Sequence, residues 1–299
     1  MISVVIPSYN RKQELENCIE SALSQGIDHN PEIIVVDDGS TDGTEKIIDK
    51  YPNITFIRQN HKGAAAARNN GAQKSKQEFV FFIDSDCRAE KNCAEELLKE
   101  IQKDENIAIV GCRILGKTAG FLAKCHDYAH YSNFMVRKRE ERKFLCSSGI
   151  LVRKEYFDKM GGFNEDLKIA EEEDLGLRTN MAGYKLIYQP SAIVYHFHGR
   201  NNFQKAILHA KKWAEAGSVK PYLMHKESKY GKISSKNPYF YLFLSPIISF
   251  LVSIKIFTRI FPQDKKIILY FPFIFINKLF WCFGTFNYLK NENKRNSEI

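Results

Sequence analysis

The stretch Phe79-Val80-Phe81-Phe82-Ile83-Asp84-Ser85-Asp86 constrains the fold more than any other. Five consecutive apolar residues, aromatic and β-branched, read as a short strand buried on both faces, as in a parallel sheet covered by helices. The run ends abruptly in two carboxylates. Side chains alternate along extended backbone, so Asp84 and Asp86 project the same way if the strand geometry persists, and a loop there can turn both toward one hard cation. Ligands of open α/β sheets bind beyond the carboxyl ends of strands, where this pair falls. A capped turn rich in Asp and Ser is the competing reading.

Upstream, Ser3-Val4-Val5-Ile6-Pro7 reads as a strand stopped by proline, and Ser8-Tyr9-Asn10 as the loop before a helix over 12–25. A second strand, Glu32-Ile33-Ile34-Val35-Val36, ends in Asp37-Asp38-Gly39-Ser40. A helix over 44–50, a strand at Ile54-Thr55-Phe56-Ile57 and a helix opened by Gly63-Ala64-Ala65-Ala66 follow. Four strands alternating with helices predict right-handed βαβ units and a parallel sheet. A dinucleotide-binding domain has the same rhythm, but no Gly-x-Gly-x-x-Gly follows the first strand and no phosphate-loop pattern occurs. An acidic residue after strand two and an acidic pair after strand four stand in their place.

The length of 299 residues accommodates one large α/β domain or two smaller ones. Seven cysteines without Cys-x-x-Cys spacing indicate neither a zinc site nor a disulfide framework, and predict reduced thiols in a cytosolic setting. Met1-Ile2-Ser3-Val4 lacks a basic leader and reads as strand, so the first domain is expected to stay in the cytosol. A formal charge of +9 predicts attraction to something anionic: nucleic acid, nucleotide phosphates or an acidic membrane surface.

Taken together, Val4-Val5-Ile6-Pro7-Ser8-Tyr9-Asn10, Val35-Val36-Asp37-Asp38-Gly39-Ser40-Thr41-Asp42, Ala66-Ala67-Arg68-Asn69-Asn70-Gly71, Asp84-Ser85-Asp86 and Glu171-Glu172-Glu173-Asp174-Leu175-Gly176-Leu177-Arg178 resemble a family 2 glycosyltransferase of the GT-A type. They occur in that family's order over roughly residues 1–200. The resemblance implies a Rossmann-like, mainly parallel sheet flanked by helices, a nucleotide-sugar donor and Mg²⁺ or Mn²⁺ as cofactor. It places Pro7 and Tyr9 at the nucleobase, with Asp38 accepting from a nucleobase N–H such as uracil offers. Arg68 is implied to reach phosphate or base, with a solvated helix face as its alternative. Asp84 is implied to meet the ribose or a metal-bound water, and Asp86 the metal itself.

The family usually shows Glu-Asp-x-Asp-Leu near the second acidic group. Aligning on Asp174-Leu175 puts Glu172 where the base aspartate normally sits, with Asp174 or Glu173 as substitutes. The implied reaction is sugar transfer with inversion, in which that carboxylate takes the proton of the attacking hydroxyl. A charged first turn of a helix is the structural alternative for these acids. His196, in His196-Phe197-His198-Gly199, is implied to complete the metal site or touch the diphosphate, and a structural histidine is the alternative. Cys146-Ser147-Ser148-Gly149 and Gly161-Gly162-Phe163 resemble acceptor-side segments.

The aromatic residues are unevenly spread: sixteen of 38 lie between positions 238 and 290, which marks that region as distinct. Four regions follow: a catalytic domain over 1–200, a basic amphipathic connector over 201–236, a hydrophobic hairpin over 237–290 and a polar tail over 291–299. The connector carries Lys205, Lys211, Lys212, Lys220, Lys226, Lys229 and Lys232 between apolar residues, a pattern suited to an anionic bilayer surface or to a solvated basic face. Apolar blocks over 239–261 and 267–288 are each long enough to cross a hydrocarbon core. Lys265 and Lys266 between them oppose the positive-inside tendency, so a shallow interfacial hairpin competes with a spanning one. The expected partners are a nucleotide sugar, a glycan or polyprenyl-linked acceptor and the cytoplasmic face of the cell membrane. No RNA-binding motif supports nucleic acid. A nucleotidyltransferase and a non-catalytic nucleotide-binding membrane scaffold are the alternative functions.

Overall fold

A computed structural model describes residues 1–26, 31–225 and 236–297. In chain order the elements are β1 (Ile2–Ser8), α1 (Lys12–Leu23), β2 (Glu32–Asp37), α2 (Glu45–Ile48), β3 (Thr55–Arg58), α3 (Ala64–Lys74), β4 (Phe79–Ile83), β5 (Cys87–Ala89), α4 (Cys93–Ile101) and β6 (Ile107–Gly116). They continue with α5 (Phe121–Tyr131), β7 (Glu140–Arg142), β8 (Gly149–Arg153), α6 (Lys154–Lys159), α7 (Glu171–Met181), β9 (Lys185–His196), α8 (Phe203–Glu215), α9 (Lys220–Met224), α10 (Pro238–Phe243), α11 (Ser245–Ile260) and α12 (Ile267–Ser297). The chain divides into two compact units. The first comprises Met1–Leu115, Arg137–Leu167 and Glu171–Phe197; the second comprises Gly116–Val136, Lys168–Ala170 and His198–Ile299.

The first unit is built on one sheet of order β3-β2-β1-β4-β8-β6-β9-β5, with β7 paired to β9. β1 pairs in parallel with β2 and β4, and β2 with β3. These strands are the continuous apolar runs of the sequence, and β1 and β4 are buried throughout because helices cover both faces. Beyond β4 the sheet turns antiparallel: β8 pairs with β4 and β6, and β9 with β5 and β7. The sheet is therefore mixed, with its parallel half supplying the strand ends that carry Asp37 and Asp84. β9 is one continuous strand over Lys185–His196, running through Pro190.

Two glycines allow close approaches that position the site. A Cβ on Gly71 of α3 would lie 2.3 Å from Cγ1 of Val5, so the missing side chain lets α3 rest on β1. A Cβ on Gly176 of α7 would lie 2.3 Å from the carbonyl oxygen of Lys143, which fixes how closely that helix packs.

The second unit is helical. Cys125 of α5, Ala206 and Ile207 of α8 and Phe273 of α12 form one buried cluster, so segment 116–136 joins the carboxy-terminal helices although it lies within the region expected to be a single catalytic domain. The apolar block over 239–261 is not one helix. It breaks at Leu244 into α10 and α11, with Pro246 in the first turn of the latter, where its fixed φ and missing N–H are tolerated. One helix among the described residues is long and apolar enough to cross a membrane, Ile267–Arg295. Lys226, Lys229 and Lys232 of the expected basic connector lie outside the described residues.

Candidate active site

The site lies in the first unit, beyond the ends of the parallel strands. A cleft of ≈ 290 Å³ is walled by Pro7 and Tyr9 after β1, Asp38 after β2, His61 and Gly63 before α3, Arg68 on α3, and Asp84 and Asp86 after β4. Of the nine residues singled out in the sequence, Pro7, Tyr9, Asp38, Arg68, Asp84 and Asp86 meet at this cleft; Glu172, Asp174 and His196 are not among its walls. The cleft also receives the first turn of α3, where Gly63, Ala64 and Ala67 leave room and the helix dipole favours an anion.

Asp38 is buried and occupied. One carboxylate oxygen accepts from Gln59 Nε2 and the Lys62 amide, each at 2.8 Å; the other accepts from the Gly63 amide and faces His61 Nδ1, also at 2.8 Å. A carboxylate offers about four acceptor positions. All are used inside the chain, so Asp38 shapes the 59–63 loop instead of standing ready for a nucleobase N–H. His61 in turn stacks on Tyr9, ring centroids 4.2 Å apart. Asp37 serves its turn, accepting from the Ser40 amide at 3.1 Å.

Arg68 lines the cleft but is not on a solvated helix face. Its side chain is buried: Nη2 lies 2.7 Å from Asp84 Oδ1 and Nη1 2.6 Å from Glu171 Oε1, with the guanidinium over the Phe163 ring. Burial works against its charge, but Asp84 and then Glu171 outweigh burial and raise its pKa further. Arg68 thus ties the end of β4 to the start of α7. Ser148 Oγ donates to the other oxygen of Asp84 at 2.7 Å, and Cys146 Sγ contacts Ser148 Oγ at 3.4 Å. Each Asp84 oxygen keeps one further acceptor position. Truncating Arg68 leaves two carboxylates facing one another in a buried setting, so Arg68→Met is expected to cost roughly 3–5 kcal/mol, read as a lower urea midpoint. An unchanged midpoint would show that the network contributes nothing.

Glu172 is half-buried, and its carboxyl is raised well above the ordinary value by burial first, then by Glu171 and Glu173. Asp174 is in a different situation. It is buried with Oδ2 2.6 Å from Arg178 Nη2, and Arg178 also donates to the Gly162 carbonyl at 2.8 Å. Asp174 therefore holds α7 to the 160–162 turn.

β5 and β9 pair with Cys87 opposite His196, and this register brings His196 Nε2 to 3.2 Å from Asp86 Oδ1. Asp86, Cys87 and His196 place ligand atoms within 4.8 Å of one another. Cys87 is the poorest match of the three, because a soft sulfur donor does not suit a hard, oxygen-seeking ion. One carboxylate oxygen and one imidazole nitrogen remain, a donor pair that suits Mg²⁺ or Mn²⁺ with phosphate and water completing the shell. Arg11 Nη2, 3.6 Å from Asp86 Oδ2, adds a positive charge at the cleft edge. Arg11, His61, Ser148 and Glu171 escaped sequence reasoning. Ser148 and Glu171 lie inside quoted motifs and so carried some signal, whereas Arg11 and His61 lie outside them.

The architecture defines the class: a GT-A glycosyltransferase fold, shared with a mannosyltransferase from Pyrobaculum calidifontis solved with GDP-Man and Mn²⁺ (TM-score 0.63, 16% identity, 96% of this chain and 86% of that one). It is shared also with GalNAc-T7 solved with UDP, GalNAc and Mn²⁺ (TM-score 0.55, 16% identity, 78% and 54%). The chain belongs to Glycosyl transferase family 2, whose profile matches residues 3–161. A pre-mycofactocin glycosyltransferase of Mycobacterium tuberculosis is 31% identical over 76% of this chain and 48% of its own length. A chondroitin synthase of Escherichia coli is 28% identical over 61% and 27%, respectively. An O-antigen chain rhamnosyltransferase of Salmonella anatum is 28% identical over 68% and 69%. The chain thus spans between about a quarter and half of the length of the first two of these relatives.

Proposed function

We propose that this protein transfers a sugar from a nucleotide diphosphate donor, a UDP-sugar in the first instance, to a hydroxyl of a glycan or lipid-linked acceptor, with inversion at the anomeric carbon. The observation that carries the reading is the Arg68 bridge, which holds Asp84 and the acidic start of α7 in one assembly. The Tyr9 and His61 rings form an aromatic wall for a base, Asp84 retains acceptor capacity for a ribose hydroxyl, and the α3 terminus suits the diphosphate. Asp86 and His196 would hold a divalent ion whose charge offsets that of the leaving diphosphate. Glu172 takes the acceptor proton; its raised pKa makes it a stronger base than an ordinary carboxylate. Asp174, engaged by Arg178, positions the helix that carries Glu172.

The second unit is assigned to the cytoplasmic face of a membrane. Phe243, Ile247 and Leu251 on α10 and α11 and Ile268 and Leu269 on α12 are each more than half exposed, an apolar surface that water does not favour. The 16 residues of α11 span about 24 Å at 1.5 Å per residue, short of the roughly 30 Å hydrocarbon core, which favours an interfacial hairpin. The direct test of the donor is a thermal-shift panel of nucleotide diphosphates and their sugars with and without Mn²⁺. A ligand at a hundred times its Kd stabilises by about 2.7 kcal/mol, so one nucleotide is expected to raise the melting temperature, and only with Mn²⁺ present. A flat panel would remove the donor assignment.

A further inference from the structure

The second unit contains a histidine cluster that the transfer reaction does not use. His126 and His130 stand one turn apart on α5, and His209 on α8 faces both. Ring centroids are 4.3 Å apart for His126 and His130, 5.1 Å for His126 and His209, and 4.9 Å for His130 and His209. One nitrogen from each lies within 4.8 Å of the other two. Tetrahedral coordination at zinc–nitrogen bonds of about 2.0–2.1 Å sets ligand nitrogens about 3.3 Å apart, a contraction that small side-chain rotations supply.

A fourth histidine shows what an occupied imidazole looks like here. His198 Nδ1 accepts from the Arg200 amide at 2.9 Å and its Nε2 lies 3.0 Å from Asp127 Oδ1, so both nitrogens are used and the tautomer is set. The His130 Nε2, by contrast, is buried and makes no hydrogen bond among the described residues. A desolvated polar atom left without a partner is destabilising, and a bound ion would relieve it.

We propose that His126, His130 and His209 bind a borderline transition metal ion of the Zn²⁺ class, with a fourth position left to water, and that the ion clamps α5 to α8. Three imidazoles without a carboxylate select such an ion over Mg²⁺ or Mn²⁺, which distinguishes this centre from the Asp86 and His196 pair.

The test uses the untagged full-length chain, stripped of metal and titrated with Co²⁺ alone. One equivalent is expected to bind with the strong visible absorption of four-coordinate cobalt. His130→Gln and His209→Gln should each weaken it at least about tenfold, and Asp86→Asn should leave the band intact. A missing band, a band that survives both histidine variants, or one lost in Asp86→Asn overturns the proposal. Should the histidine variants not fold, X-ray absorption at the zinc edge of the wild-type protein decides: three imidazole nitrogens support the site and fewer refute it.

Discussion

Asp86→Ala is expected to abolish sugar transfer, lowering turnover by roughly a thousandfold or more, since a metal ion on a departing diphosphate supplies several kcal/mol of charge stabilisation. The substitution removes the carboxylate that lies 3.2 Å from His196, and with it the oxygen donor a hard ion prefers. The Mn²⁺-dependent part of the nucleotide-induced thermal shift should vanish with it, while the unliganded melting temperature moves little, because Asp86 sits at the cleft and not in the core. If Asp86→Ala binds nucleotide with undiminished Mn²⁺ dependence, the ion is held elsewhere.

Glu172→Gln is expected to lower turnover by roughly 10²–10⁴-fold and to leave nucleotide binding intact. Stability should change in the opposite sense. The folded chain holds the Glu172 proton more tightly than the unfolded chain does, because burial and then Glu171 and Glu173 raise its pKa. Stability is therefore lost as pH rises from the ordinary glutamate value of about 4.3 through the raised one. Glutamine removes that penalty, so the variant should melt above the parent at neutral pH, with the difference closing as pH falls below about 4. Transfer by the parent should decline as pH drops through the raised value, where the base becomes protonated. Asp174→Asn supplies the contrast: it weakens the Arg178 contact and should lower the melting temperature more than it lowers turnover. If Asp174→Asn stops the reaction and Glu172→Gln does not, the proton acceptor is Asp174.

The residues that line the cleft were legible where local pattern decides placement. β1, β2 and β4 are buried on both faces, so their side chains are mainly apolar, and Asp37, Asp38 and Asp84 stand out because they end such runs. Asp86 and His196 could be named from motif resemblance, but their approach depends on β5 pairing antiparallel with β9 across more than a hundred residues. The role of Arg68 was hidden for the same reason. A charged residue on a helix normally faces water, and only two carboxylates from distant segments make its burial possible. Composition showed that 239–261 is apolar without showing that Pro246 would start a new helix inside it.

The sequence by itself determined the parallel half of the sheet, the acidic residues at its edge and the apolar character of the carboxy-terminal region, because short-range alternation and hydrophobic runs are read within a few residues. Tertiary structure decided which acid meets which base, which histidines gather, and where the units divide. Those outcomes depend on desolvation and charge pairing between residues far apart in the chain, whose balance exists only once the backbone has brought them together.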